Sequence, residues 1–283
     1  EQNNLRAPIS LRINPDVDAK THEKISTGKK ENKFGIDISS AYEAYQAAAA
    51  LPHLDVRGVD MHIGSQLTSL EPFMTAAKIL RDLVLGLRQA GHHIDHIDLG
   101  GGLGIPYAQS GEAPPSPQEY ARALAPYVLD LDAAIAIEPG RLIAGNAGIL
   151  LSSVIFEKPA LSRTFLIIDA AMNDLIRPSL YDARHEIMPV KLNQSAAVTP
   201  KDVVGPVCET GDLFSKNEML PEFEENDLVA LRSAGAYCAV MAGEYNTRPL
   251  VPEVLVHENR WSLIRRRPTI DEMIEREQFA PWH

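Results

Sequence analysis

From Ala7 to Ile137, runs suited to strands alternate with runs suited to helices, and this alternation predicts parallel strands joined by crossover helices. Ala7–Asn14 (APISLRIN) reads as a strand, and Ser39–Leu51 as a helix with Ser39 or Ser40 at its N-cap. Leu54–Gly64 is the next strand. The clearest helix is Leu70–Ala90: Phe73, Ala76, Ala77, Leu80, Leu83, Val84 and Leu87 recur at helical spacing, and Gly91 stops the run. Ile94–Leu99 is a third strand. Ser116-Pro117-Gln118-Glu119 is a capping box with proline at the first helical position, opening a helix to about Asp132. Ala133–Ile137 is the fourth strand.

The last three strands each end in a polar or glycine-rich motif. Active sites of (β/α)8 barrels and of open α/β sheets both lie at the carboxyl ends of strands, so this placement is informative but leaves the two architectures open. A barrel takes about 250 residues, and the four strands here make roughly half of one. On a barrel reading, the other half is expected before Glu1. The lack of an initiator Met fits a chain that begins mid-protein, and Glu1-Gln2-Asn3-Asn4 does not resemble a secretory signal.

After Ala147 the pattern changes. Ile149–Glu157, Thr164–Ala170, Leu228–Arg232 and Val251–Val256 read as strands joined by irregular loops, which predicts a mainly antiparallel β domain. A second capping box, Thr269-Ile270-Asp271-Glu272, starts a short terminal helix. The expected domains are therefore residues 1–146 (α/β) and 147–283 (β).

A net charge of −11 over 283 residues disfavours a nucleic-acid grip, and the single basic run, Arg265–Arg267, reads as a solvated strand end. Two cysteines, Cys208 and Cys238, make no disulfide framework and suggest no zinc site, so no metal is expected and a reducing, cytoplasmic setting is. No apolar stretch is long enough to span a bilayer, so no membrane partner is expected.

Each motif has a structural and a functional reading. His62-Ile63-Gly64-Ser65-Gln66 offers either a hydrogen-bonded core histidine or an imidazole to stack on a planar ring, with Ser65 donating to a phosphate. Gly100-Gly101-Gly102 with Gly104 is a tight turn or a place where backbone N–H groups approach a phosphate. Glu138-Pro139-Gly140-Arg141 is a surface ion pair or a carboxylate that keeps a ring nitrogen protonated. Cys208-Glu209-Thr210-Gly211-Asp212, Gly235-Ala236-Tyr237 and Arg177-Pro178-Ser179-Leu180-Tyr181 divide in the same way between packing and chemistry. Lys29, Lys30 and Lys33 read as a solvated loop, and His92 and His93 as an exposed turn.

In order, HIGS, GGG, EPGR, CE.GD and GAY resemble the motifs of the alanine-racemase-like, type III pyridoxal-phosphate (PLP) decarboxylases. The stretches STGKKENKFGI, MNDLIRPSLYDARHEI and GPVCETGD resemble the branch of that family acting on diaminopimelate. The resemblance implies α/β plus all-β architecture: a partial PLP-binding (β/α)8 barrel followed by a C-terminal β domain. It implies that His62 stacks on PLP, that Glu138 bonds its ring nitrogen, and that Ser65, Gly100, Gly101, Gly102, Gly140 and Arg141 hold its phosphate. Arg141, Arg177 and Tyr181 would bind substrate carboxylates, and Tyr237 would contact both phosphate and substrate. Cys208 and Glu209 would reach the other site of a homodimer, Cys208 as proton donor and Glu209 on the substrate's distal amine. The implied reaction is decarboxylation of meso-2,6-diaminopimelate to L-lysine, with catalytic roles for Cys208 and His62. Alternatives are another basic or D-amino acid as substrate, or a non-catalytic binding or regulatory protein of the same fold.

The sequence departs from the family at one point. The Schiff-base lysine belongs on an early barrel strand, and none of Lys20, Lys24, Lys29, Lys30, Lys33, Lys78, Lys158, Lys191, Lys201 and Lys216 has a matching context. A fragment, one piece of a split protein and a degenerate relative all fit that observation. Inactivity of this chain by itself is the resulting expectation, and exposed strand edges and apolar helix faces predict poor solubility.

Overall fold

The computed structural model describes residues 5–19, 27–28, 33–107, 113–191 and 195–282. They form two compact units: one runs to Pro106 and resumes through Ile143, and the other takes Tyr107 and the chain from Ala144 onward.

The first unit is a five-stranded parallel sheet. Its strands are β1 (Ala7–Asn14), β2 (Ile36–Asp37), β3 (Leu54–Asp60), β4 (His96–Asp98) and β5 (Ala134–Ala136), in the order β2-β1-β3-β4-β5. The sequence predicts four strands, and β2 is the addition. Two residues are too few to carry a periodic signal, and β2 exists through its pairing with Ile13 and Asn14. The strand expected over Leu54–Gly64 stops at Asp60, and the following residues turn toward Gly64 and Ser65.

Helices α1 (Ala41–Ala49), α2 (Glu71–Gln89) and α3 (Pro117–Val128) serve the crossovers, and α4 (Gly140–Ala144) follows β5. The N-cap expected at Ser39 or Ser40 makes no side-chain bond to α1; Asp37 instead accepts from Ser39 N and caps a preceding 3-10 turn. Helix α2 buries Phe73, Ala76, Ala77, Leu80, Leu83, Val84 and Leu87, and each large apolar side chain so buried contributes roughly 1.5–3 kcal/mol. Gly91, at φ 91°, lets the chain turn away behind it. Helix α3 starts at the Ser116–Glu119 capping box with Pro117 at its first position. His92, expected in an exposed turn, is half-buried and packs edge-on against Tyr45, whereas His93 is exposed. An apolar groove of about 350 Å³ lies beside the edge strand β5, between Leu99, Leu124, Val128, Ile135, Ile137 and Leu142.

The second unit holds a six-stranded sheet ordered β10-β9-β7-β6-β11-β8 and a separate hairpin. The strands are β6 (Leu150–Pro159), β7 (Thr164–Ile168), β8 (Ile187–Pro189), β9 (Thr199–Val204), β10 (Leu213–Leu220) and β11 (Leu228–Leu231), with hairpin strands β12 (Glu253–His257) and β13 (Arg260–Arg265). Its pairs are antiparallel except β7 with β9. Helix α5 (Arg177–Tyr181) lies between β7 and β8, and α6 (Ile270–Ile274) starts at the Thr269–Glu272 capping box. Strands β8, β9, β10 and β13 are additions to the sequence reading. In β9 the buried pair Lys201 and Asp202 hides the strand: Lys201 Nζ bonds Glu157 at 2.7 Å, and Asp202 accepts from Arg163 and from Asn217 N. The core is Val154, Leu166, Ile168, Val203, Phe214, Val229 and Leu231 with their neighbours.

Candidate active site

The carboxyl ends of β3, β4 and β5 lie side by side, and their backbone ladder continues past them. Met61 N donates to Asp98 O, Leu99 N to Ala136 O, and Glu138 N to Gly100 O. This brings His62, Ser65, Gly100, Gly101, Gly102, Glu138, Gly140 and Arg141 to one end of the sheet. His62 is half-buried. Its Nδ1 accepts from Gly101 N at 3.1 Å, and its carbonyl oxygen accepts from Thr27 Oγ1 at 2.9 Å and from Arg12 Nη2 at 3.4 Å. An Nδ1 that accepts carries no proton, which fixes a neutral ring with its hydrogen on Nε2. Burial, and then the Arg12 guanidinium, hold the imidazole pKa below its ordinary value, with Asp98 opposing.

The glycine triplet is there because backbones meet. A β-carbon at Gly101 would overlap the Glu138 carbonyl oxygen, and one at Gly100 would overlap that of Met61, where φ is also 67°. Arg141 is buried in α4 and its Nη2 bonds Ser65 Oγ at 2.9 Å. Glu138 presents an exposed carboxylate. A hydroxyl and a guanidinium suit an anion, a carboxylate suits a protonated ring nitrogen, and a neutral imidazole face suits a flat cationic ring. These residues therefore fit the cofactor expected from the motifs.

Asp60 lies beneath this group. Its Oδ1 is buried without a hydrogen-bond partner. Burial first, then Asp98 and Glu138, raise its pKa from 3.8 to about 6 against the pull of Arg12. No local motif marks Arg12, Asp60 or Asp98, because the pairing of distant strands brings them together.

In the second unit, Arg177 is buried at the start of α5. Its Nη1 meets His185 Nε2 at 2.9 Å, its guanidinium stacks over Tyr107 at 4.8 Å, and Tyr181 is half-buried at the end of the same helix. The Arg177 motif and the Cys208–Asp212 motif are joined by Ser179 Oγ, which donates to Gly211 O at 2.6 Å. Asp212 is buried and closes the base of the loop, accepting from Met172 N at 2.7 Å and Val207 N at 2.8 Å. Desolvation raises the Asp212 pKa, while those two N–H groups pull it down.

Cys208 and Glu209 are exposed on this loop. Asn246 Nδ2 approaches Cys208 Sγ at 3.7 Å, and Tyr245 OH donates to Glu209 at 2.7 Å, which raises the phenol pKa. Tyr237 is exposed at φ 57°, after Gly235, whose N donates to Gly145 O at 3.0 Å. No short motif marks Tyr107, Tyr245 or Asn246, whereas His185 lies in the stretch MNDLIRPSLYDARHEI without a role assigned to it.

Among the described lysines, Lys33 stacks on Phe34 and Lys201 pairs with Glu157, whereas Lys20, Lys24, Lys29 and Lys30 lie outside the described residues. Among the described residues, no group of three His, Cys, Asp or Glu could hold a metal ion, and no helix is long and apolar enough to cross a membrane.

Residues 1–145 match the family described as pyridoxal-dependent decarboxylase, pyridoxal binding domain. Diaminopimelate decarboxylase of Vibrio cholerae is 50% identical over 98% of this chain and 66% of its own length, and that of Zymomonas mobilis is 47% identical over 98% and 65%. The chain thus spans just under two thirds of these relatives. The crystal structure of diaminopimelate decarboxylase from Helicobacter pylori complexed with L-lysine superposes with a TM-score of 0.91 at 39% identity, covering 97% of this chain and 68% of that one. Inactivity of this chain by itself gains no support from these likenesses. The chain belongs to the pyridoxal-dependent decarboxylases, in the branch of the diaminopimelate decarboxylases.

Proposed function

We propose that the protein is a PLP-dependent decarboxylase converting meso-2,6-diaminopimelate to L-lysine, as a cytoplasmic homodimer with shared sites. The observation carrying this reading is the set His62, Gly101, Glu138, Ser65 and Arg141 at adjoining strand ends. The names of the relatives, and the lysine in the Helicobacter pylori complex, support the choice of substrate. The two compact units support a domain division into residues 1–146 and 147–283.

PLP, when bound, supplies an electron sink for the pair left on the α-carbon as the carboxylate departs as CO2. His62 offers its neutral face to the ring, and the Glu138 carboxylate keeps the ring nitrogen protonated. Ser65, the Gly100–Gly102 turn, Gly140 and Arg141 take the phosphate. Arg141, Arg177 and Tyr181 orient substrate carboxylates, the guanidinium fork suiting a two-oxygen acceptor. Tyr237 contacts phosphate and substrate. Cys208 gives its proton to the α-carbon in the other subunit's site and regains one from solvent, and Glu209 holds the distal amine.

Two measurements test this. The protein supplied with PLP should release CO2 from meso-diaminopimelate; reaction with a different amino acid alone overturns the substrate. Cys208→Ala should slow turnover by about a hundredfold or more with PLP affinity retained, in the range for a lost general acid, and unchanged turnover removes Cys208 from its role.

A further inference from the structure

The sheet register places a charged layer one step below the candidate site. Arg12 on β1 is the partner of Asp60 on β3, Asp60 of Asp98 on β4, and Asp98 of Ala136 on β5. Register partners in a parallel sheet share a face at about 4.8 Å spacing. Just past these strand ends, two residues further along, stand His62, Gly100 and Glu138, on a backbone ladder continued by Met61 N to Asp98 O and Glu138 N to Gly100 O. One guanidinium and two carboxylates thus underlie the row that carries the imidazole. Arg12 reaches up from this layer to the His62 carbonyl, and Asp98 Oδ1 accepts from Gly100 N at 2.8 Å, so the layer is hydrogen-bonded to both strand ends above it.

We propose that Arg12 is a positioning residue that keeps the His62 imidazole neutral and seated, with Asp60 and Asp98 as its counter-charges in the layer beneath. The functional consequence rests on the reading that this face receives a protonated pyridine ring. A neutral imidazole stacks on such a cation, whereas an imidazolium is repelled by it. The charged groups acting on His62 are Arg12 from β1 and Asp98 from β4, while Asp60, two residues before it, itself feels Arg12, Asp98 and Glu138. The guanidinium opposes protonation, the Asp98 carboxylate favours it, and the Gly101 N–H occupies the nitrogen that would receive the proton. Two carboxylates stand with the one guanidinium, so the layer carries no unopposed cation.

The test needs no cofactor, so its failure is distinct from failure of the PLP reading, which PLP binding decides. In the unliganded chain, ring nitrogen and carbon signals of the nine histidines are followed by NMR against pH, with His62 assigned by loss of its signal in His62→Asn. The wild-type ring should be the Nε2–H tautomer and titrate below an ordinary histidine. Arg12→Met should move that midpoint up, and Arg12→Lys, which keeps the charge, should leave it low. Asp98→Asn keeps an acceptor for Gly100 N and should move it down; this variant carries the test if Arg12→Met does not fold. An ordinary wild-type midpoint, an unchanged midpoint in Arg12→Met, or an upward shift in Asp98→Asn would each overturn the proposal.

Discussion

The two units hold their functional groups in opposite ways. In the α/β unit, every candidate group hangs from a strand end or the helix after it, and neighbours bond one another: Gly101 to His62, Arg141 to Ser65, Glu138 N to Gly100 O. In the β unit, Cys208, Glu209 and Tyr237 stand exposed on loops, and what is buried is the clamp behind them, Asp212 and Arg177. The first arrangement fixes a rigid cradle. The second presents side chains outward from a fixed base. Burial therefore separates holding from presenting, and mutation should separate them too.

The largest effect is expected where backbones touch. Gly101→Ala should cost about 3 kcal/mol in urea unfolding or leave the protein insoluble, since the added β-carbon would overlap the Glu138 backbone carbonyl rather than a flexible side chain. A near-neutral result would show the cradle to be soft and erase the contrast. Next, Asp212→Ala should cost about 2 kcal/mol by orphaning Met172 N and Val207 N, and protease should then cut near Cys208. A loop that stays resistant has some other clamp.

Asp60 gives a smaller, pH-dependent effect. Its folded pKa, about 6, lies above the ordinary 3.8, so the folded state holds the proton more tightly. Its contribution to stability is full below about pH 4 and is lost as pH rises through 6. Asp60→Asn should remove about 1 kcal/mol of that decline between pH 4 and 7, a figure reduced for solvent screening of a half-open group. An unaltered slope would place the proton elsewhere in the layer. Smallest of all, Tyr245→Phe should leave the unfolding midpoint unmoved, because the Tyr245–Glu209 bond is exposed. A lowered midpoint would mean that Glu209 is part of the clamp.

How much was legible in advance varies by element. Helix α2 and both capping boxes follow from local spacing, because a helix bonds within itself and its sequence carries its own period. Strands β2, β9 and β10 do not. β2 has two residues, β9 buries Lys201 and Asp202, and β10 breaks register twice against β9. The motif residues His62, Glu138 and Cys208 could be named from the sequence, whereas Arg12, Asp60 and Tyr245 could not, since each matters through a partner far along the chain.

Residue type and order alone settled the strand-end motifs, the helix starts and the kind of chemistry these groups support, because local periodicity and functional-group chemistry are written along the chain. Tertiary structure decided which nitrogen of His62 carries its proton, which carboxyl shares the charge of Arg12, and which motif residues are buried as supports. Those depend on strand register and desolvation, which arise only once distant segments lie side by side.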